Sequence, residues 1–260
     1  MSHRRIKLTL DCDGVLTDIW TPTEAILKSY TDDELAPYAN EYTSLERLKF
    51  FAEDFSFERD TDNFEITGLT TAQYKLLDAV WKDPRIFERV ESMPDFKGGK
   101  TDNWLEYKLG QPCYSSPTWV EMAMSLDMLA EICDITIHTH VDESCVSARR
   151  EWFEEKLIAN MKNADSIRLL CDTGTVKSRL EGDIVVEDRL FNLLDANAEF
   201  KILRGCFHNQ PTKHNRLIWS GFQASDVSYH KINPICVSTF SEMIETIYIE
   251  AKWRYDNDKR

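Results

Sequence analysis

Five short runs along the chain are apolar or alternate with polar residues, and each stops at polar ones: Ile6–Leu10, Ile135–His138, Ile167–Cys171, Ile184–Val186 and Phe200–Leu203. Their length and β-branched content predict strands. Between them, apolar positions recur at helical spacing. Trp119–Ile132 carries Val120, Ala123, Met124, Leu126, Leu129 and Ala130, Ser144–Ala159 carries Trp152, Phe153 and Leu157 among charges, and Thr239–Ala251 carries Phe240, Met243, Ile244 and Ile247. Strands alternating with helices predict an α/β fold, a parallel sheet wound in right-handed βαβ units. Ligands of such sheets lie at the carboxyl ends of the strands.

The alternation breaks between about Asp18 and Tyr114. This stretch is polar and aromatic-rich, with helical patterning at Leu45–Ala52, Ala72–Trp81 and Trp104–Leu109 and a loop-rich connector at Pro94–Pro112. About a hundred residues is too long for a loop within a compact domain, so the expectation is a mainly helical domain, 18–114, inserted after the first strand of a core formed by 1–17 and 115–260.

Length, 260 residues, allows such a two-part chain, and 42% hydrophobic with 29% charged residues is an ordinary globular balance. Asp and Glu exceed Lys and Arg by 45 to 31, a net charge of −14 that repels polyphosphate backbones and excludes long nucleic acid as the expected partner. The seven cysteines are scattered without a Cys-x-x-Cys pair, as reduced thiols of a cytoplasmic protein would be. No apolar run is long enough to cross a membrane and none forms the core of a signal peptide.

Candidate chemistry concentrates where the strands end. Directly after the first comes Asp11-Cys12-Asp13-Gly14-Val15-Leu16-Thr17-Asp18. Two carboxylates two residues apart serve a metal and a reacting group, and Gly14 lets the backbone turn beside them. The second strand delivers Thr139, the fourth delivers Glu187-Asp188-Arg189, and Lys177 lies ten residues before Glu187. A hydroxyl, an ammonium and four acids at one sheet edge are the groups needed for Mg²⁺-assisted phosphoryl transfer through a carboxylate nucleophile.

In this order the stations resemble the haloacid dehalogenase (HAD) superfamily of phosphohydrolases: Asp-x-Asp-Gly-x-x-x-Asp at Asp11–Asp18, a hydroxyl at Thr139, a Lys at Lys177 and an acidic pair at Glu187-Asp188. The flanks Thr173–Arg189, Ile202–Gln210 and Arg149–Glu155, with its Trp152, are similar to the 5′(3′)-deoxyribonucleotidase branch. The departures are Thr139-His140-Val141 where that branch has Thr-Ser-Pro, and Glu187 where it has Asp. The resemblance covers about 1–18 and 115–250 and leaves out the insert.

It implies a Rossmann-like core with a cap. Asp11 is then the nucleophile, Asp13 the general acid and base, Thr139 and Lys177 the phosphate partners. Mg²⁺ is held by Asp11, the backbone carbonyl of Asp13, Asp188 and Glu187, the last directly or through water. Gly14 and His140 lend backbone N–H groups to substrate, Arg189 a guanidinium. In the cap, Trp20, Tyr74, Trp81, Phe87 and Trp104 are candidates to stack on a nucleobase, Trp20 foremost because it follows Asp18 closely, although aromatics at helical spacing are more often core. The implied substrate is a small phosphomonoester, a deoxynucleoside monophosphate first and a sugar phosphate second. A non-catalytic binding protein of the same fold and a dehalogenase are the competing readings. Members of the branch are often homodimers, a state for which the sequence carries no sign of its own.

Other signals lead nowhere. Gly99-Lys100-Thr101 lacks the first glycine of a phosphate-binding loop, since Pro94 stands there. His138 and His140 have no third ligand at zinc spacing, and His208 and His214 read as loop residues.

Overall fold

The computed structural model describes residues 4–56, 69–102, 113, 115–174, 178–205 and 234–257. The chain runs through β1 (Ile6–Asp11), β2 (Thr17–Asp18), α1 (Trp20–Ser29), α2 (Asp32–Leu35), α3 (Leu45–Asp54), α4 (Thr71–Trp81), α5 (Arg85–Arg89) and β3 (Glu91–Ser92). It continues through α6 (Trp119–Leu129), β4 (Cys133–His140), α7 (Val146–Lys156), β5 (Ile167–Asp172), β6 (Ile184–Glu187), α8 (Leu190–Asp195), β7 (Phe200–Arg204), β8 (Ile235–Val237) and α9 (Phe240–Asn257). The expected helix Trp104–Leu109, Cys206 and the His208-Asn209-Gln210 segment lie outside the described residues.

Six strands form one parallel sheet in the order β5-β4-β1-β6-β7-β8. The five predicted strands are all in it. The sixth, β8, is only Ile235–Val237, too short to stand out from its flanks by pattern alone. The central strands are apolar on both faces, as a sheet covered by helices on both sides requires: Leu8, Leu10, Ile184, Val185 and Val186 are fully buried. β1 starts the chain at the middle of the sheet, the order then grows through β4 to β5 and crosses back to β6, β7 and β8. This reversal beside β1 is the switch point at which open α/β sheets keep their ligand crevice. Register sets the strand tips level there, with Asp11 opposite His138 and Leu10 opposite Val186.

After β1 the chain leaves the sheet through β2 and returns through β3, and these two pair antiparallel, Thr17 with Ser92 and Asp18 with Glu91. The helices α1 to α5 lie between them. Their shared interior is apolar: Ile26 and Leu27 of α1, Leu48 of α3, Leu76 and Val80 of α4 and Ile86 of α5 are buried. Thr31/Glu34, Thr70/Gln73 and Thr118/Glu121 form capping boxes that start α2, α4 and α6 by satisfying N–H groups the helix leaves open. Beyond β3, Asp95 and Thr101 are bonded to the sheet and to α9. Thr101 exchanges both backbone hydrogen bonds with Cys236 of β8 (3.0 and 2.8 Å), and Asp95 accepts from Arg204 Nη2 at 2.9 Å and from the Phe240 N–H at 2.6 Å. Among the described residues of 18–114, α1 to α5 lie between the ribbon strands, and Asp95 and Thr101 are tied to the β7–β8 side of the sheet.

No helix among the described residues is long and apolar enough to cross a membrane. The described cysteines Cys12, Cys113, Cys133, Cys145, Cys171 and Cys236 are all free thiols.

Since β1 carries the nucleophile candidate and is packed on both faces, Leu8→Ala should lower stability by about 2–5 kcal/mol, the usual result of emptying a fully buried leucine site. Urea unfolding checks this. A loss below 1 kcal/mol would mean that the centre of the sheet collapses onto the gap.

Candidate active site

At the end of β1 the backbone folds into a tight turn. The N–H groups of Leu16 and Thr17 both donate to the Cys12 carbonyl (2.9 and 3.0 Å), and the Gly14 N–H donates to the Thr17 carbonyl at 2.8 Å. Gly14 has φ +85°, in the left-handed region. A Cβ at this position would lie 2.2 Å from Asp188 Oδ2 and 2.8 Å from the Trp20 ring, so glycine alone lets the turn come up against the acid at the end of β6. Asp18, the last acid of the turn, serves α1 instead: its Oδ1 accepts from the N–H groups of Trp20 and Thr21 (3.0 and 3.1 Å) and its Oδ2 from the Thr21 hydroxyl at 2.6 Å.

Three carboxylates meet at the switch point. Asp11, Glu187 and Asp188 are 5%, 0% and 1% exposed, and one oxygen of each lies within 4.8 Å of the others. Like charges this close and this dry repel strongly unless something positive lies among them. The backbone supplies part of the compensation. Asp11 Oδ1 accepts from the Cys12 N–H at 2.8 Å, and Glu187 Oε1 accepts from the N–H groups of Asp188 and Arg189, each at 3.2 Å. The donor set is all oxygen, compact and anionic, which fits Mg²⁺ and not a soft metal.

Asp13 is engaged on a different side. Its Oδ1 accepts from the Thr17 hydroxyl at 2.7 Å and from Arg149 Nη2, and its Oδ2 accepts from the Thr139 hydroxyl at 3.1 Å. Arg149 Nη2 reaches Thr139 Oγ1 as well, at 3.3 Å. Burial alone would push the Asp13 carboxyl up, but the Arg149 guanidinium and the two hydroxyl donors outweigh it and hold the group below the usual carboxylate range. Between the two acids, burial pushes the Cys12 thiol up to about 12, which removes it as a competing nucleophile at neutral pH.

The strand ends thus bring Asp11, Asp13, Gly14, Thr139, Glu187 and Asp188 together. Lys177 lies outside the described residues. The ends of its loop are fixed all the same: Asp172, at the tip of β5, accepts from the Gly174 N–H at 3.0 Å and from the Ser178 N–H, and these bonds hold its carboxyl well below the usual range. His138 is buried with Nε2 3.4 Å from Ser178 Oγ and 3.7 Å from Asp172 Oδ2, so it braces that same loop. The His140 ring is exposed and turns to the Gly174 carbonyl at 2.6 Å. The Arg189 side chain is exposed, while its backbone N–H serves Glu187. Trp20 is buried against Gly14, Tyr74 is exposed, and Phe87 is buried over Arg149. Trp104 is outside the described residues.

Two residues bonded at this sheet edge were not singled out in the sequence, Arg149 and Asp172. For Arg149 the signal was available. Cys145, Arg149, Trp152 and Phe153 fall on one face of the helical run, so a cation sits on an apolar stripe.

No family model matches the chain, and no curated protein does. Among solved structures it is similar to a HAD-superfamily hydrolase of subfamily IA, variant 1, from Geobacter sulfurreducens (12% identity, 95% of this chain and 99% of that one, TM-score 0.44). It is similar also to a hydrolase from Pseudomonas syringae (13%, 94% and 98%, 0.41) and to a HAD hydrolase of family IA, variant 3, from Entamoeba histolytica (15%, 93% and 99%, 0.35). Likeness at this level leaves the chemistry to be argued from the chain's own residues.

Two outcomes are expected. Mg²⁺ should raise the melting temperature of the native protein, because a ligand of the folded state alone stabilises it, and should fail to do so in Gly14→Ala, whose Cβ collides with Asp188. Equal Mg²⁺ shifts in both would separate Gly14 from the metal site. The Asp172 carboxyl is depressed in the fold, so its contribution is complete above the unfolded value of about 3.9 and fades as pH falls through the lower folded value. The difference in urea midpoint between native protein and Asp172→Asn should accordingly be constant from pH 6 to 5 and shrink below about pH 4. A difference that grows on acidification would contradict the assignment.

Proposed function

We propose that the protein is a Mg²⁺-dependent phosphomonoester hydrolase of the HAD type, acting through an aspartyl-phosphate on Asp11, with deoxynucleoside 5′-monophosphates as its substrate class. One observation carries the reading: a buried carboxylate triad centred on Asp11, at the tip of the central strand, with Asp13 and Thr139 beside it. The nucleotide preference rests on the flanking motifs.

An Asp11 oxygen attacks phosphorus, the bond to the ester oxygen breaks, and the leaving oxygen takes a proton from Asp13. Asp13, now a carboxylate held by Arg149 and Thr17, removes a proton from water. The water oxygen bonds to phosphorus, the Asp11–phosphorus bond breaks, and inorganic phosphate leaves. The proton gained by Asp13 is the one it gives to the next leaving group, so the cycle balances. Mg²⁺, when held by Asp11, Glu187, Asp188 and the Asp13 carbonyl, supplies the positive charge that lets an anionic ester approach these acids. Thr139 and Lys177 hold phosphoryl oxygens, and the helices between β2 and β3 act as the lid that excludes water and reads the leaving group.

A panel of (deoxy)nucleoside 5′-monophosphates, sugar phosphates and aryl phosphates, with phosphate release as readout, tests this. Release should require Mg²⁺ and fall at least a thousandfold in Asp11→Asn. Activity on sugar phosphates alone would overturn the nucleotidase reading, and no turnover of any phosphomonoester would favour a binding protein. Within the same panel, Trp20→Ala should raise KM for nucleotides more than for a small aryl ester.

A further inference from the structure

Arg149 is fully buried, and charge in that position is costly unless it is paired and hydrogen-bonded. Only one of its three nitrogens meets this condition, Nη2 on Asp13 and Thr139. Nε and Nη1 are buried without an acceptor among the described residues. A hydrocarbon side chain would fill the same space on α7 at lower cost, so the guanidinium has to be explained by what it touches.

It touches two rings. Its central carbon lies 4.5 Å from the centroid of Phe87 and 5.1 Å from that of Trp152. Trp152 belongs to α7 itself. Phe87 comes from α5, the last helix before β3 returns the chain to the sheet, and α5 packs against α7. A cation on an aromatic face is attracted by it, and more strongly when both are dry. One planar group therefore has the helical insert on one side and the acid–base carboxylate on its edge.

We propose that Arg149 is a positioning residue that transmits the placement of the insert to Asp13. With Phe87 seated on the guanidinium, water is kept from the Arg149–Asp13 pair, and the carboxylate is fixed toward Thr139. With Phe87 withdrawn, the guanidinium loses its cover and Asp13 its fixed orientation. The water-activating step then runs only when the insert is in place. The inference rests on the phosphohydrolase reading for its kinetic part, not for its structural part.

Rapid mixing with an excess of an aryl phosphate, whose leaving group needs no proton, separates the two half-reactions. Native enzyme should release aryl alcohol without a burst. Arg149→Met should give a burst approaching one equivalent followed by turnover about a hundredfold slower, because formation of the phosphoenzyme proceeds while its hydrolysis, the step that uses Asp13, stalls. Phe87→Leu, which keeps the charge and is the milder change to the fold, should show the same burst with a loss of about tenfold. A raised KM at unchanged kcat would make Arg149 a substrate contact. Loss of burst and turnover in parallel, or no change, would make it a packing residue, and each of these overturns the proposal. A crystal structure of Phe87→Leu reads the coupling without turnover: the Asp13 carboxylate should leave its bonds to Arg149 and Thr139, and an Asp13 that stays in place overturns the proposal even if the enzyme hydrolyses no phosphomonoester.

Discussion

The constraint on which the rest depends is the crowding of acid at one end of one strand. Asp11, Glu187 and Asp188 are buried within reach of one cation, and Asp13 is two residues from Asp11 in the chain. Carboxylates do not collect in a low dielectric without compensation. Each local feature of the site answers that demand. Backbone N–H groups of Cys12, Asp188 and Arg189 face the triad, and Arg149 and two hydroxyls face Asp13. Gly14 removes the one side-chain carbon that would hold the turn away from Asp188. The charges are divided into two groups with different partners, and this division gives chemically similar side chains different tasks.

The architecture follows from the same edge. A parallel sheet puts all its carboxyl ends together, and the order β5-β4-β1-β6-β7-β8 places the first strand between the strands that bring Thr139 and Glu187. The insert can leave only after the nucleophile has been placed, and the antiparallel pairing of Thr17–Asp18 with Glu91–Ser92 brings it back to where it left. One of its links to the acids is Phe87 on Arg149.

Much of this was legible in the sequence. Strand periodicity and the polar stops located five of six sheet strands, and acids placed directly after those stops located the triad, because strand ends in a parallel sheet converge whatever lies between them. What was missed has physical reasons. β8 is three residues long and owes its place to pairing with β7 and with Thr101, a tertiary effect that no local pattern carries. Asp18 matched a motif position but caps α1, since a carboxylate two residues before a helix is drawn to its open N–H groups. Phe87 was grouped with aromatics for a ligand because aromatic spacing does not tell what a ring faces. Arg149 stands on a legible apolar stripe, but its partner Asp13 is 136 positions away and no local pattern names it, while Asp172 is held by N–H groups of the turn that follows its own strand.

Because compensation of the acid triad by a cation is the central claim, titration with Mn²⁺ followed by electron paramagnetic resonance tests it most directly. The account predicts one site per chain that Mg²⁺ displaces, lost in Asp188→Asn while the protein stays folded. Absence of a saturable site, or a site that Asp188→Asn leaves intact, would contradict it.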